Sequence, residues 1–260
     1  MISVLGSLST QAHDLFLKFE TCFPPQHGKA VAHLMNGTFR KSENPVARDR
    51  MADVSLIKPD GSRVPIEASA WTDVGSAAHL TLSPEAAGTY VVGLYTKPRE
   101  ITLKGAEFNS YLAHDGIPDV LAARKRANEL GKPARERYSK HVKALFQVGD
   151  TPGETFKVPL RYPVEIIPQQ NPYRLKVGDI LAVQCVNDGQ PLANQFVLAG
   201  YETKGRETVL AGVRTNEQGV AQIPLKGSGQ WYVKFIRMVP STGANLDYES
   251  RWATLTFEIK

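Results

Sequence analysis

Short apolar segments separated by turn-forming residues recur along almost the whole chain, and this pattern restricts the fold more than any other feature of the sequence. The 17 prolines and 21 glycines are scattered rather than clustered, which is typical of many short strands joined by tight turns. At 260 residues the chain is long enough for two domains, each with its own core. We therefore expect a mainly β protein built from two β-sandwich domains.

The first predicted domain covers residues 13–159, and its segments alternate as expected for half-buried strands. In the opening strand, 13–20, the apolar side chains of Leu15, Leu17 and Phe19 share one face. The spacing of the predicted strands along the chain is typical of an antiparallel sandwich. Further strands are predicted at 30–39, 53–57, 64–70, 79–82, 90–95 and 142–148.

A short helical insertion is predicted inside this domain, at about 117–140. Residues 119–130 are rich in helix formers, and Gly131 with Pro133 ends the pattern. A second short helix is predicted over 134–139. The last strand of the domain would then return to the sheet.

The second predicted domain covers residues 160–260 and is immunoglobulin-like or transthyretin-like, with about seven strands in about a hundred residues. The sequence Asn187-Asp188-Gly189 is a strong hairpin signal. The predicted strands are 164–167, 180–186, 195–201, 208–214, 220–224, 230–237 and 252–259.

The charge of the chain does not indicate a nucleic-acid partner. The net charge is +5, and the densest basic stretch, 124–126, is followed by Glu129 and Glu136, with Tyr138 as the one aromatic residue nearby. A nucleic-acid surface would gather basic and stacking side chains on one face, whereas this pattern favours a solvated face. No run of 18 apolar residues is present, so no transmembrane helix is expected.

The first twelve residues suggest export. Residues 1–8 are apolar or small, and Thr10-Gln11-Ala12 places small residues at the −3 and −1 positions of a cleavage site. We interpret 1–12 as the end of a signal peptide, with an ordinary frayed terminus as the alternative. The expected location is the periplasm or the exterior, and no lipobox cysteine precedes His13, so a lipid anchor is not expected.

The two cysteines, Cys22 and Cys185, are far apart in sequence and lie in strand-like apolar segments. A lone cysteine in such a setting usually behaves as a small core residue. An oxidising compartment permits a disulfide without implying one, and the sequence leaves the pairing open.

Several segments resemble a known bacterial family, domain of unknown function 4198 (DUF4198), some of whose members are associated with nickel or cobalt uptake in the periplasm. The match covers nearly all of the second domain, and the first matches more loosely through Ala12-His13-Asp14. The resemblance implies an exported protein and makes metal handling plausible, but its motifs are turn and core positions. The segments are YSKHVKALFQVG (138–149), VEIIPQQNPYRLKVGD (164–179), DGQPL (188–192), TNEQGVAQIPL (215–225), GQWY (229–232) and DYESRWATLTFE (247–258).

His13 is the strongest candidate for chemistry. If cleavage follows Ala12, the free α-amine and the imidazole Nδ1 of His13 can chelate one divalent ion, because both nitrogens belong to one residue. A second imidazole would complete a three-nitrogen site suited to copper, or to one corner of a nickel site. Nickel, cobalt and copper all remain candidates, and no organic cofactor is expected.

The predicted partners of His13 are His33, His114 and the neighbouring Asp115, which offers a carboxylate as an oxygen ligand or as support for an imidazole. No histidine pair has the spacing of a local metal site, so the fold would have to assemble one. The alternative is that these are dispersed structural or surface histidines.

No catalytic signature is present. The chain lacks HExxH, GxSxG, GxxxxGK[ST] and GxGxxG motifs, and nothing marks Cys22 as activated. We therefore expect a non-enzymatic binding protein that holds or delivers a transition metal, with an inner-membrane transporter component as a candidate partner and no nucleic acid. The alternative is a metal-free structural module of the envelope that contacts proteins or glycans.

Overall fold

The structure, a computed structural model, describes residues 13–243 and 245–260, so the predicted signal-peptide segment 1–12 lies outside the described residues. The N-terminal half contains two helices, α1 (Gly105–His114) and α2 (Pro118–Arg126). Its strands are β1 (Asp14–Phe19), β2 (Ala30–Gly37), β3 (Met51–Ile57), β4 (Arg63–Pro65), β5 (Trp71–Val74), β6 (Ala77–Leu82), β7 (Gly88–Thr96), β8 (Arg99–Leu103) and β9 (Ala134–Val148).

The C-terminal half is built from strands and short 3₁₀ turns. Four 3₁₀ turns occur in the described chain, at Arg48–Arg50, Ala68–Ala70, Thr155–Lys157 and Pro172–Arg174. The strands of this half are β10 (Val164–Pro168), β11 (Ile180–Asn187), β12 (Gln190–Pro191), β13 (Phe196–Thr203), β14 (Arg206–Val209), β15 (Val213–Arg214), β16 (Val220–Pro224), β17 (Gly229–Pro240) and β18 (Tyr248–Ile259).

The strands form three sheets, which confirms the mainly β, sandwich-type fold. The central sheet has ten strands in the order β14-β13-β17-β18-β9-β7-β3-β4, with β15 beside β13 and β8 beside β9. A four-stranded N-terminal sheet has the order β1-β2-β6-β5. A four-stranded C-terminal sheet contains β10, β11 and β12, with β16 also pairing with β11.

A parallel pairing of β9 with β18 joins the two halves in the central sheet. The register runs from Tyr248 opposite Glu136 to Thr256 opposite Ala144. The strands on either side of this junction, β7 and β17, pair antiparallel with β9 and β18. The predicted boundary at 159/160 therefore lies between halves that share a sheet, and the division into two domains stays a prediction.

The outer sheets cover opposite faces of the central sheet. On one face the N-terminal sheet packs through Leu15 and Leu17 against Val142 and Ala144 of β9. On this face the Thr254 and Thr256 hydroxyls of β18 donate to the carbonyls of Leu15 and Leu17, at 2.8 and 2.6 Å. On the other face, Leu255 packs in a core with the C-terminal sheet. The central strands are therefore buried on both sides.

The helical insertion is present, but it begins earlier than predicted. Helix α1 was not predicted, and α2 ends at Arg126, before Asn128 with φ of 56°. The short helix predicted over 134–139 is wrong, because these residues open β9 and pair with β8. In this segment, pairing with neighbouring strands and the alternation of buried and exposed side chains outweigh the helix propensity of the residues.

Most other predicted strands occur close to their expected positions. The strand predicted over 64–70 is wrong in its second part, since β4 ends at Pro65 and 68–70 form a 3₁₀ turn. The strand predicted over 208–214 is split into β14 and β15, and β5, β8 and β12 were not predicted.

Cys22 and Cys185 are buried free thiols that belong to cores on opposite faces of the central sheet.

Neither helix of the described chain is long and apolar enough to cross a membrane.

Candidate functional site

A pocket of about 430 Å³ lies where the start of β1, the end of α1 and the strands β13, β14 and β17 meet. Three of the four predicted metal ligands, His13, His114 and Asp115, line it. Residues far apart in the sequence are therefore brought to one place by the fold. The other lining residues are Asp14, Phe16, Gly37, Thr38, Phe39, Glu43, Leu198, Glu207, Val209, Tyr232 and Lys234.

Lys234 of β17 connects the two segments that carry the predicted ligands. Its Nζ lies 2.5 Å from Asp14 Oδ2 and 3.1 Å from Asp115 Oδ1. The side chains of Lys234, Asp14 and Asp115 are only 9%, 13% and 10% exposed. This Asp14–Lys234–Asp115 triad therefore holds the start of β1 against the end of α1.

Burial and neighbouring charges shift the pKa values of Lys234 and Asp115 in opposite directions. Burial alone would lower the pKa of Lys234, but the carboxylates of Asp14 and Asp115 outweigh it and raise that pKa above its ordinary value. Burial raises the pKa of Asp115, and Lys234 opposes this effect. Asp14 Oδ1 is buried and has no hydrogen-bond partner in the described part of the chain, so one acceptor beside the pocket is unused.

Both the imidazole and the backbone carbonyl of His13 make polar contacts beside the pocket. Its Nδ1 lies 3.2 Å from Glu43 Oε2, and its carbonyl accepts a hydrogen bond from the buried Lys140, which also donates to Asn36 Oδ1 at 3.3 Å. Burial lowers the pKa of His13, and Glu43 opposes the shift. The neutral imidazole, the form that binds metals, is therefore favoured.

His114 is the last residue of α1, and its side chain is exposed while Asp115 is buried. Helix α1 is anchored to the central sheet by Tyr111, whose ring stacks on Trp252 at 5.7 Å and whose hydroxyl donates to Glu136 Oε1 at 3.2 Å. Gly116 then turns the chain with φ of 78°, in a space where a Cβ would lie 2.7 Å from Leu198. The position of His114 is thus determined by packing on both sides.

His33 is in a different place from the other predicted ligands. It lies on β2 directly opposite His79 of β6, and the two imidazole rings stack at 4.1 Å. Its Nε2 is 3.1 Å from Glu20 Oε1. It does not line the His13 pocket, although it borders another pocket next to Lys18.

The described residues do not by themselves form a complete metal site. Across 13–243 and 245–260, no three His, Cys, Asp or Glu side chains are arranged as a group that could hold a metal ion. Two imidazoles at one pocket can supply two nitrogens at most. A metal at this pocket would therefore need a further ligand, and the α-amine of a chain that begins at His13 is a group of the required kind.

Sequence reasoning missed the charged residues that organise the pocket. Lys234 lies in the segment WYVKFIRM, at the same side of the strand as Tyr232 and Ile236. A lysine at an inward position of an otherwise apolar strand signals a buried ion pair, because unpaired charges are rarely buried. Glu43 lies in a loop, and its position could not be inferred from spacing.

A further buried carboxyl, that of Glu136, lies beneath α1. Glu136 Oε1 accepts hydrogen bonds from Tyr111 and from the Ser250 hydroxyl, whereas Glu136 Oε2 has no partner in the described chain. Burial raises the pKa of Glu136 to about 7, which the Ser250 and Tyr111 hydrogen bonds only partly oppose. This carboxyl therefore changes its charge near neutral pH.

We expect Lys234→Met to lower the free energy of unfolding by about 3–5 kcal/mol, because it leaves the Asp14 and Asp115 carboxylates buried without a partner. Lys157→Met is the matched control, since the Lys157–Glu154 pair is exposed and its loss should change stability far less. Urea unfolding at neutral pH measures both. Equal losses in the two variants would contradict the role assigned to the triad.

We expect Glu136→Gln to change how stability depends on pH. Because the folded pKa is raised, folding favours the protonated carboxyl, so its contribution is present below about pH 4.5 and is lost as the pH rises through about 7. The Gln variant lacks this loss, so relative to the wild type it should gain up to about 3 kcal/mol between pH 4 and 8. Urea unfolding of both proteins across this range measures the difference, and parallel curves would contradict the expectation.

The solved structures that resemble this chain do so only distantly. The D0-D1 domain of Intimin is 11% identical, with 94% of this chain and 97% of that chain covered and a TM-score of 0.21. A DUF4785 family protein from Legionella pneumophila is 9% identical, with 84% and 51% covered and a TM-score of 0.26. Murine CEACAM1b is 6% identical, with 95% and 99% covered and a TM-score of 0.22. At these levels the similarities say nothing about function.

No curated protein matches the sequence. The signature of a family described as "Domain of unknown function (DUF4198)" matches residues 10–238, which is most of the chain. This match confirms the resemblance seen in the sequence. The chain belongs to the DUF4198 family.

Proposed function

We propose that this protein is an exported, non-enzymatic binding protein that holds a divalent transition metal at the pocket described above, with His13 as its first ligand. The observation that supports this most directly is the presence of His13 and His114 at one pocket, although 101 positions separate them in the numbering (114 − 13). Such convergence is what a site assembled by the fold requires.

The proposed chelate depends on removal of residues 1–12. In the uncleaved chain the His13 nitrogen is an amide, whereas cleavage after Ala12 would leave a free α-amine beside Nδ1. Amine and imidazole of one residue are a natural nitrogen pair for copper or nickel. Because one of the proposed ligands is an α-amine, the site does not need three side-chain ligands. The described residues contain no such group of three.

The remaining ligands come from side chains that already face the pocket. The exposed His114 supplies a second imidazole, while Asp115 is committed to Lys234 and so acts by positioning the end of α1. Glu43 already occupies the neighbourhood of His13 Nδ1 and would either move away or contribute an oxygen. Copper should bind most tightly of the three candidate metals, in line with the general order of divalent affinities.

The charge of the pocket favours a cation. Its lining contains four carboxyl groups and the ammonium of Lys234, so carboxylates outnumber the cationic side chains. Both aspartates are tied to Lys234, whereas Glu43 contacts His13, and Glu207 accepts a hydrogen bond from Tyr232 at 3.0 Å. The four carboxyl groups are those of Asp14, Glu43, Asp115 and Glu207.

Delivery to an inner-membrane transporter in the periplasm is the physiological role that the family resemblance suggests for such a site. No catalytic motif accompanies the pocket in the sequence, and so we propose binding rather than turnover. A metal-free module of the cell envelope that contacts proteins or glycans is the competing function.

We expect copper and nickel to bind one to one to protein that begins at His13, and at least about tenfold more weakly to protein that retains residues 1–12. Isothermal titration of both forms with each metal, including cobalt, measures this difference. His114→Ala in the processed form should also weaken binding about tenfold or more, since it removes one imidazole.

His33→Ala is the matched control, because this histidine lies outside the pocket and should leave the affinity unchanged. Equal weak binding by the processed and unprocessed proteins would reject the chelate. It would leave the metal-free interaction module as the better account.

A further inference from the structure

A further pocket, of about 350 Å³, is lined by three arginines and shares no residue with the His13 pocket. Arg48 and Arg50 belong to the 3₁₀ turn before β3, and Arg99 is the first residue of β8. Asp73 of β5 is the one acidic residue of the lining, and the remaining walls are small and apolar. Two separate segments thus bring three guanidinium groups to one concave surface.

Several N–H groups at this pocket have no acceptor in the described part of the chain. Arg48 Nη1, Arg50 Nε and Arg50 Nη2 are buried nitrogens without a hydrogen-bond partner in the described residues. An unpaired buried donor destabilises the folded protein, and more so when it is charged. Three such donors at one pocket are accounted for by a ligand that supplies oxygens.

The unpaired atoms of Arg50 have the geometry of a fork. Nε and Nη2 form one edge of the planar guanidinium. Their N–H bonds run parallel and can donate to two oxygens of one phosphate or carboxylate group. The guanidinium of Arg50 lies 5.7 Å from the ring centre of Tyr138. This aromatic neighbour limits the orientations available to the fork.

Arg48 is oriented by two further contacts. Its Nη2 donates to Asp73 Oδ1 at 2.6 Å, and its guanidinium lies 4.8 Å from the ring centre of Trp71. Its Nη1 is buried and has no hydrogen-bond partner among the described residues. Arg48 is thus held in place by Asp73 and Trp71 while one of its donors stays available.

The charge around the pocket favours a divalent anion. Three guanidinium groups against the Asp73 carboxylate leave two positive charges (3 − 1). Burial lowers the pKa of Arg50, Arg99 lowers it further, and Tyr138 and Asp49 oppose the shift.

We propose that this pocket binds a tetrahedral oxyanion, a phosphate or sulfate group, held by the Nε–Nη2 edge of Arg50 and by Arg48 Nη1, with Arg99 at its rim. The small apolar walls leave space for the rest of a molecule that carries this phosphate or sulfate group. This proposal does not depend on the metal site.

Isothermal titration with inorganic phosphate, sulfate and acetate at constant ionic strength tests the proposal. Phosphate and sulfate should bind saturably with one-to-one stoichiometry, and acetate should bind more weakly because it carries one charge and two oxygens. Glycerol 3-phosphate, used as a further probe, distinguishes a preference for phosphate esters from a preference for the free ion.

Arg50→Lys keeps the charge but removes the fork, so it should weaken phosphate binding about tenfold or more. Arg99→Gln, at an exposed position, should also weaken binding and is informative even if the Arg50 variant fails to fold. Arg206→Gln, exposed on β14, is the control and should bind as the wild type does. Absence of saturable phosphate binding, unchanged affinity in both Arg50→Lys and Arg99→Gln, or equal affinity for acetate would overturn the proposal.

Discussion

The parallel pairing of β9 with β18 is the constraint on which the rest of the structure depends. It joins strands of the two halves in one ten-stranded sheet, so the sheet must be covered on both faces. The N-terminal sheet and the helices cover one face, and the C-terminal sheet covers the other. Strand β1 lies over this junction, with its Leu15 and Leu17 carbonyls bonded to threonines of β18.

The same junction determines where the candidate ligands lie. Because β1 runs across β9 and β18, its first residues reach β17 and meet Lys234, which also binds the carboxylate at the end of α1. A buried ion pair adds little net stability, since the loss of hydration offsets the attraction between the charges. The ion pairs instead fix the positions of the segments that they join. If either carboxylate moved away, the buried ammonium of Lys234 would lose one of its two counter-charges. The triad therefore keeps the segments of His13 and His114 together.

Buried charge recurs elsewhere along β9. Lys143 forms an ion pair with Glu165 of β10 on the C-terminal-sheet side, where both side chains are almost fully buried. Lys140 lies on the opposite face, near the His13 carbonyl, and burial lowers its pKa to about 8. Each of these contacts ties the shared strand to an outer layer.

The sequence was sufficient to predict the fold class and most strands, because alternation of apolar side chains is a local signal. In β1, for example, Leu15 and Leu17 mark the buried face directly. The pairing of β9 with β18 could not be predicted, since it joins segments more than a hundred residues apart. The segment 134–139 was mistaken for a helix because its residue types favour helices, whereas its burial follows neighbouring strands.

The candidate site was predictable only in part. His13, His114 and Asp115 were identified from residue type and neighbourhood, and the structure brings them to one pocket. His33 has the same residue type but lies opposite His79 on the N-terminal sheet, a placement that depends on strand register. Lys234 and the arginine pocket depend on contacts between distant segments, which spacing in the sequence does not reveal.

Electron paramagnetic resonance of the protein that begins at His13, loaded with one equivalent of Cu²⁺, tests the metal site most directly. We predict nitrogen couplings from the amine and two imidazoles, with one imidazole lost in His114→Ala and none lost in His33→Ala. A spectrum that does not change in His114→Ala, or that is the same when residues 1–12 are retained, would contradict a site built on His13 and His114.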